Sequence, residues 1–202
     1  MLLCDIGNTS YHFLSQSEGF KKDVKSFDAS EVKHNVYYIC VNKDVDESLK
    51  NLPNWIDIES HLDKAKYYDT MGVDRMMALE AIESGIIIDA GSAITVDVKR
   101  DGIFEGGFIY PGLNAMRESY QNISKALTYE FNFDIDLQTL PKNSQDAITY
   151  GYLKTLYCEV MSHKMDIILT GGDANLFAKI FKDARVDEYL VFKGMKKLIY
   201  DF

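Results

Sequence analysis

The sequence predicts an α/β protein built as two lobes, and two observations lead to this prediction. Short apolar strands alternate with helical segments along the chain, which is the pattern of an α/β fold. The motif Asp5-Ile-Gly-Asn-Thr also returns as Asp89-Ala-Gly-Ser-Ala about half the chain later, and each copy follows a short apolar run. With 202 residues, of which 47% are hydrophobic, the chain can bury a sizeable core. We therefore expect lobes at residues 1–84 and 85–202 with a cleft between them.

The first half of the chain predicts four strands and two helices. Apolar and aromatic runs bounded by turn residues mark the strands, at residues 1–6, 11–14, 35–41 and 55–58. One helix is predicted at residues 44–52, with Asp44 at its start. The other covers residues 73–82, where the apolar positions fall on one side and Gly85 can end the helix.

The second half begins with three strands joined by tight connections, and helices follow. The strands of this meander are residues 86–88, 93–98 and 103–110. Helices are expected at residues 113–127, 144–162 and 175–181, with a loop at 131–143. A further strand is predicted at 166–169, and the tail is predicted as a strand at 188–192 and a last helix at 195–202.

The formal net charge of −9 comes from acidic residues spread along the whole chain. This balance argues against nucleic acid as a partner, because phosphates need a basic face. It leaves nucleotides open, because Mg²⁺ held by carboxylates can offset phosphate charge locally. No segment has the apolar length of a membrane-spanning helix, so we expect a cytoplasmic protein with no membrane partner.

The three cysteines are an odd number and lie far apart in apolar surroundings. This pattern predicts neither a disulfide framework nor a zinc site. We expect Cys4, Cys40 and Cys158 to be buried thiols.

The repeated Asp-Gly turn has a definite chemistry. Glycine lets the backbone approach a phosphate, the following Asn, Thr or Ser can bond phosphate oxygens, and the leading Asp can hold a cation. Two such turns facing each other would clamp a polyphosphate. An ordinary hairpin with an Asp-initiated turn is the alternative for either copy alone. The sequence contains neither a GxxxxGK[ST] loop nor a GxGxxG motif after its first strand, so phosphate chemistry must use these turns.

An Asp-Arg pair stands at the head of the helix predicted from residue 73. Arg75 can bind a carboxylate in a two-pronged manner, and Asp74 can orient a hydroxyl. The alternative is a charged pair that caps a helix on the surface.

Taken together, these motifs resemble those of the type III pantothenate kinases. Six segments occur in the order of that family: Asp5-Ile-Gly-Asn-Thr, Gly72-Val-Asp-Arg75, Asp89-Ala-Gly-Ser-Ala, Gly106-Gly-Phe-Ile-Tyr-Pro-Gly-Leu113, Asn143-Ser144 with Ala147 and Gly151, and Thr170-Gly-Gly-Asp-Ala174. The resemblance implies two ribonuclease-H-like lobes of the actin-like ATPase type, with mixed sheets. It also implies ATP-dependent phosphorylation of pantothenate to 4′-phosphopantothenate, the first step toward coenzyme A. The family uses Mg²⁺ with a monovalent cation, K⁺ or NH₄⁺, and forms homodimers that bind pantothenate near the subunit interface.

The same resemblance assigns roles to individual residues. Asp74 is expected to be the general base. The expected pantothenate contacts are Gly72, Val73, Asp74, Arg75, Ser144 and Tyr67. The expected ATP contacts are Asp5, Ile6, Gly7, Asn8, Thr9, Ser10, Tyr11, His12 and Ser92. Asp5 is expected to organise Mg²⁺ and Asp89 to bind the monovalent cation, while residues 170–174 resemble the loop near the nucleoside.

The sequence departs from the family pattern at three places. Ser92 and Ser144 stand where threonine is usual, and both keep the hydroxyl. Tyr67 and Tyr68 lie nearer to Gly72 than the substrate-binding tyrosine usually does, so either can make that contact.

Two alternative functions stay open: a kinase for another small metabolite, and a non-catalytic nucleotide-binding regulator of the same fold.

Overall fold

A computed structural model describes residues 1–16 and 18–200 of the chain. These residues form two compact units, one from Met1–Ile82 together with the residues after Glu188, the other from Glu83–Glu188. The predicted division into 1–84 and 85–202 stays a prediction, and the contacts group the C-terminal helix with the first unit.

Strands and helices alternate along the described chain. The strands are β1 (Leu2–Ile6), β2 (Ser10–Ser15), β3 (Glu18–Asp23), β4 (Val36–Cys40), β5 (Trp55–Asp57), β6 (Gly85–Ala90), β7 (Ala93–Arg100), β8 (Ile103–Pro111), β9 (Ile167–Thr170) and β10 (Arg185–Val186). The α-helices are α1 (Lys43–Leu49), α2 (Val73–Glu80), α3 (Leu113–Ile123), α4 (Ser144–Ser162), α5 (Ala174–Phe177) and α6 (Leu190–Tyr200).

Each unit contains a mixed sheet of five strands, and the two sheets have the same topology. The first has the order β3-β2-β1-β4-β5, with β1 antiparallel to β2 and parallel to β4. The second has the order β8-β7-β6-β9-β10, with β6 antiparallel to β7 and parallel to β9. The repeated motif therefore marks a repeated sheet, which confirms the predicted α/β class with two mixed sheets.

In each unit a hydrophobic cluster lies against one face of the sheet. In the first unit, side chains alternate into it from β1 and β2, as the two-residue period of a strand requires, including Cys4, Ile6, Tyr11 and Phe13. In the second unit the cluster includes Ile86 and Ile88 of β6 together with Leu153 and Leu156 of α4. Asp5 and Asp89 alternate out of these clusters, which leaves their carboxylates on the other face of each sheet.

The tail of the chain differs from its prediction. Residues 188–192 were expected to form a strand, but Leu190, Val191 and Phe192 are the buried first turn of α6. A short apolar run does not distinguish a buried strand from a buried helix, which explains the error. The last two residues of the predicted helix 195–202 lie outside the described residues.

Three smaller expectations also need correction. β3 escaped prediction because every residue in it is exposed, so it has no apolar alternation, and pairing with β2 holds it in place. Gly85 begins β6 at a φ of 144°, whereas α2 ends at Glu80. Cys158 is exposed and Cys40 half-buried, so only Cys4 is the buried thiol that was expected.

Candidate functional site

The first Asp-Gly turn is the hairpin between β1 and β2. Asp5 lies directly opposite His12 in the ladder, and the Gly7 amide donates to the carbonyl of Ser10 at 3.0 Å. Asn8 and Thr9 at the tip are exposed. The predicted phosphate donors are therefore free to face a ligand.

Side chains along this hairpin face in opposite directions. Ile6 and Tyr11 are buried in the core, and burial raises the pKa of the Tyr11 phenol to about 12. Ile6 and Tyr11 can therefore contact a nucleotide only through their backbone groups. His12 packs edge-on against Phe192 of α6, with ring centroids 4.9 Å apart, and burial with nearby Lys21 lowers its pKa to about 4. His12 is therefore neutral at physiological pH. In its predicted contact with ATP, the imidazole would be uncharged.

The second Asp-Gly turn joins β6 to β7 and is one residue tighter. Asp89 pairs with Thr95, and the Gly91 amide donates to the carbonyl of Ala93 at 3.0 Å. Ser92 at the tip is exposed, so its hydroxyl is available to a phosphate. Because both turns follow the central strand of an equivalent sheet, the sequence repeat has a structural counterpart.

Two glycines from other elements pack closely against this second turn. A Cβ on Gly171 would overlap the Asp89 carboxylate and lie 2.5 Å from the carbonyl oxygen of Ala90. The next segment is fixed as well, because the Asp173 amide donates to that Ala90 carbonyl at 2.9 Å. Gly112, at the start of α3, would place a Cβ 2.6 Å from the carbonyl oxygen of Gly91. The turn is thus held by backbone contacts from both sides, and residues 170–173 lie directly beside Asp89.

The surroundings of Asp89 suit a monovalent cation. Thr95 and Thr170 pair with Asp89 from the two neighbouring strands, so all three side chains share one face of the sheet. The Thr95 hydroxyl oxygen is buried and has no hydrogen-bond partner among the residues described. A buried hydroxyl without a partner is costly, and a cation bound beside Asp89 would give this oxygen a partner. Carboxylate and hydroxyl oxygens are the donors that a hard cation takes.

Asp5 fits a Mg²⁺ site in which the phosphates of a bound nucleotide supply further ligands. Within residues 1–16 and 18–200, no group of three or more His, Cys, Asp or Glu side chains is arranged to hold a metal. Mg²⁺ is commonly bound by one or two carboxylates, with substrate phosphates and waters as its remaining ligands. A single carboxylate at the first phosphate turn is enough for that mode of binding.

The predicted substrate end lies at the start of α2. Gly72 is the N-cap residue, and the Asp74 carboxylate folds back to accept the Arg75 amide at 2.9 Å. A Cβ on Gly72 would lie 2.5 Å from the same Asp74 oxygen, so glycine leaves room for this carboxylate. Burial raises the pKa of Asp74, although the Arg75 amide and guanidinium oppose the shift. A buried carboxylate with a raised pKa is a stronger base than an exposed one.

Arg75 and the two tyrosines before Gly72 occupy separate positions. Arg75 is 7% exposed, and its Nη1 donates to the Tyr68 hydroxyl at 2.6 Å. Tyr68 therefore lies beside Arg75, and with 43% of its surface exposed it also reaches the protein surface. Tyr67 is buried, and its hydroxyl donates to Glu80 at 2.8 Å. The sequence had no signal to distinguish these adjacent tyrosines. They differ only in the direction in which the backbone points each side chain, and the sequence does not show this direction.

Ser144 is the first residue of α4, where it is exposed. Asn143 caps this helix by accepting the Asp146 amide at 2.9 Å, while its own amide group donates to the Asp146 carboxylate at 2.7 Å. The Asn143 side chain thus supplies an acceptor for one of the amides at this helix end, and the exposed Ser144 side chain remains accessible to a ligand.

A cavity of about 780 Å³ lies in the second unit. Its lining includes Ile167 at the amino end of β9, whereas Thr170 beside Asp89 is at the carboxyl end. None of the predicted site residues lines it. The cavity therefore shares no lining residue with the candidate site.

Comparisons with known proteins agree with the resemblance seen in the motifs. Residues 41–163 match the family model described as type III pantothenate kinase. A protein of that name from Sulfurimonas denitrificans is 59% identical over 98% of this chain and 97% of its own length. Another, from Helicobacter hepaticus, is 41% identical over 98% of both chains.

Solved structures agree with the fold. A crystal structure from Campylobacter jejuni, described as a Baf family transcriptional activator, is 38% identical with a TM-score of 0.90, covering 100% of this chain and 98% of that one. A 2-dehydro-3-deoxygalactonokinase structure from Sinorhizobium meliloti has a TM-score of 0.60 at 10% identity, with 99% and 98% of the two chains covered. The second likeness concerns the fold alone.

Proposed function

The chain belongs to the type III pantothenate kinase family, and from that membership we infer that it transfers the γ-phosphoryl group of ATP to pantothenate. The product is 4′-phosphopantothenate, and the reaction is the first step of coenzyme A biosynthesis. The observation that carries this inference is the 59% identity over nearly the full chain to a relative of that name. We place the reaction in the cytoplasm.

We propose that Asp74 is the general base of the reaction. Its carboxylate accepts the proton of the primary hydroxyl while the hydroxyl oxygen bonds to the γ-phosphorus. The bond between that phosphorus and the bridging oxygen breaks, and ADP leaves with the bonding electrons. The burial that raises the pKa of Asp74 makes it a better proton acceptor, and the Arg75 amide fixes its direction.

Arg75 is the proposed partner of the pantothenate carboxylate. Its Nη1 donates to the Tyr68 hydroxyl, and the planar array of five N–H donors on a guanidinium suits a carboxylate. The exposed position of Tyr68 beside Arg75 supports Tyr68 as the tyrosine that contacts substrate, with Tyr67 supporting α2 through Glu80. Gly72, Val73 and Ser144 complete the proposed substrate set.

The nucleotide phosphates are assigned to the two Asp-Gly turns. Residues Asp5 to His12 form the first proposed cradle, with Asp5 organising Mg²⁺, and Ser92 forms the second. Phosphoryl transfer depends on positioning and charge compensation more than on covalent help, so backbone cradles and a bound metal suffice.

A monovalent cation, K⁺ or NH₄⁺, is the proposed ligand of Asp89. The unpaired buried hydroxyl of Thr95 on the neighbouring strand supports this assignment. When bound, the cation would place positive charge beside the second phosphate turn.

A homodimer is the proposed assembly. β8 is an edge strand of its sheet, and it exposes Ile103 at 69% and Ile109 at 64% of their surfaces. An exposed apolar edge of this length is usually covered, because it otherwise invites unspecific pairing. A second copy of the chain is the partner that we assign to it.

Two other functions stay open to test. The Campylobacter jejuni structure described as a transcriptional activator favours a non-catalytic nucleotide-binding regulator as the second candidate. A kinase for another small metabolite would share the phosphate turns but use a different substrate end.

The deciding experiment is incubation of the protein with ATP, Mg²⁺, K⁺ and pantothenate, followed by mass spectrometry. We expect 4′-phosphopantothenate and ADP in equal amounts. ATP binding without product formation from any metabolite in a screen would favour the regulator. ATP consumption with a different metabolite, and none with pantothenate, would favour the other kinase.

A further inference from the structure

The C-terminal helix α6 packs against α2 at a glycine. A Cβ on Gly194 would overlap the carbonyl oxygen of Met77 and lie 2.7 Å from its carbonyl carbon. Met77 and Met195 are both completely buried at this crossing. The backbones approach so closely that a methyl group at position 194 fits only if one of the helices moves.

This crossing lies close to the substrate end. Met77 follows Asp74 by three residues, which is less than one helical turn. Asp74, Arg75 and Met77 all lie in the first five residues of the eight-residue helix α2. Displacement of α2 at the crossing therefore also displaces Asp74 and Arg75.

A second contact fixes the other end of α2. Lys197 Nζ donates to the backbone carbonyl of Glu80 at 3.1 Å. The last carbonyls of a helix lack partners within the helix, and a cation there also interacts favourably with the helix dipole. Gly194 and Lys197 are three residues apart, so they present the same face of α6 to α2.

Glu80 connects this support to the segment before α2. Its carboxylate accepts the Tyr67 hydroxyl at 2.8 Å, and Lys66 Nζ lies 3.5 Å away. Tyr68 follows directly and bonds to Arg75. The contacts from α6 thus continue through α2 and Glu80 to both sides of the proposed pantothenate pocket.

We propose that α6 is the positioning element of the substrate end, with Gly194 and Lys197 as positioning residues for Asp74 and Arg75. Neither residue touches the reacting atoms. Their effect is to hold α2 in the place where the base meets the hydroxyl. The proposal rests on the proposed function for its kinetic consequence, whereas its structural consequence for α2 can be measured separately.

The test compares Gly194→Ala and Lys197→Met with Lys196→Met in the full chain. Lys196 is the neighbouring lysine, and it makes no hydrogen bond or ion pair within the described part of the chain, so it is a matched control. We expect kcat with pantothenate to fall by about tenfold in Lys197→Met and up to roughly a hundredfold in Gly194→Ala, since small misplacements have effects of this size. The KM for ATP should stay within about twofold of the wild type in Lys197→Met, because Lys197 bonds to the end of α2 and not to the segments assigned to the phosphates.

Hydrogen exchange of the α2 amides supplies the independent measurement. Exchange in residues 73–80 should become faster in Lys197→Met and stay unchanged in Lys196→Met, and Lys197→Arg should restore both exchange and kcat. Unchanged α2 exchange and kcat in Lys197→Met would overturn the proposal. So would a loss of ATP affinity as large as the loss of kcat, which would indicate general damage to the first unit. If the wild type forms no phosphopantothenate, the proposed function fails, and the exchange comparison still decides the role of α6.

Discussion

At the scale of single residues, burial determines the chemistry of the candidate site. Asp74 is a carboxylate whose pKa is raised by burial, and His12 is an imidazole kept neutral by burial. Asn8, Thr9 and Ser92 are exposed, so they keep their hydrogen-bonding capacity for a ligand. The same chain thus supplies a buried carboxylate for the proposed base and exposed side chains for the proposed phosphate contacts.

The first prediction concerns Asp74→Asn. If Asp74 is the base, kcat should fall by roughly 10²- to 10⁴-fold, while the variant folds normally. The raised pKa means that the folded state disfavours the ionised carboxylate. This penalty is full at neutral pH and disappears as pH falls below the ordinary carboxyl pKa, where Asp74 is protonated in both states.

The stability of Asp74→Asn should therefore equal or exceed that of the wild type at pH 7, and any excess should shrink toward pH 4. Assays and melting curves on the two proteins and on Asp183→Asn, an exposed carboxylate in the second unit, check both statements. Full activity of Asp74→Asn would remove it from the role of base.

The second prediction concerns Thr95→Val, which removes the unpaired buried hydroxyl and keeps its shape. In NaCl the variant should melt at or above the wild-type temperature, because an unsatisfied polar group is replaced by an apolar one. Exchange of NaCl for KCl should raise the melting temperature of the wild type and leave that of the variant unchanged. An equal response of both proteins to K⁺ would exclude Thr95 from the cation site.

At the scale of elements, the turns are held by neighbouring segments more than by their own residues. The turn after β9 lies against the turn after β6 through Gly171 and the Asp173 amide, and the start of α3 approaches the same turn through Gly112. The turn after β6 is therefore positioned by the neighbouring strand β9 and by helix α3. Substitutions in these neighbours should act on Asp89 without touching a ligand.

The third prediction compares two adjacent glycines, Gly171 and Gly172. Gly171 has a φ of 88° and no room for a Cβ, whereas a Cβ on Gly172 would meet no atom within 4 Å. Gly171→Ala should lower the free energy of unfolding by roughly 1–3 kcal/mol and abolish the response of melting temperature to K⁺. Gly172→Ala should do neither. Melting curves in KCl and NaCl that are the same for both variants would contradict the close packing on Asp89.

At the scale of the whole molecule, one sheet topology is used twice. β1 and β6 are both central strands, each with an antiparallel hairpin on one side and parallel strands on the other. The chain then returns after the second unit, and α6 completes the first. Among the helices in the described residues, none is long and apolar enough to cross a membrane.

The fourth prediction is a mass of twice the 23.0 kDa chain in solution, measured by light scattering after gel filtration. Ile109→Lys on the exposed side of β8 should shift the protein toward the monomer, because burying an unpaired charge in an interface is costly. Leu140→Lys, at an equally exposed position in a loop, should leave the mass unchanged. A wild type that elutes as a monomer would exclude the proposed homodimer.

Much of the fold and of the candidate site follows from local sequence. Helix α4 begins at Ser144 and ends at Ser162 as predicted, because its apolar periodicity and its Asn143 cap act within a few residues. The two Asp-Gly turns were also predictable, since Asp, Gly, Asn and Ser residues between two apolar strands are typical of a turn. Family-specific motifs then led to the proposed substrate end at Gly72–Arg75.

Contacts between distant residues decided the rest. β3 is held by its pairing with β2, and the residues at the start of α6 are helical because they pack in the first unit. The choice between Tyr67 and Tyr68, the unpaired hydroxyl of Thr95 and the support of α2 by Gly194 also appear only in three dimensions. The sequence by itself determined most of the elements, the turns and the family, because these depend on local patterns. Only the tertiary structure decided which side chains are buried, paired or held in place, because those properties depend on neighbours far apart in the chain.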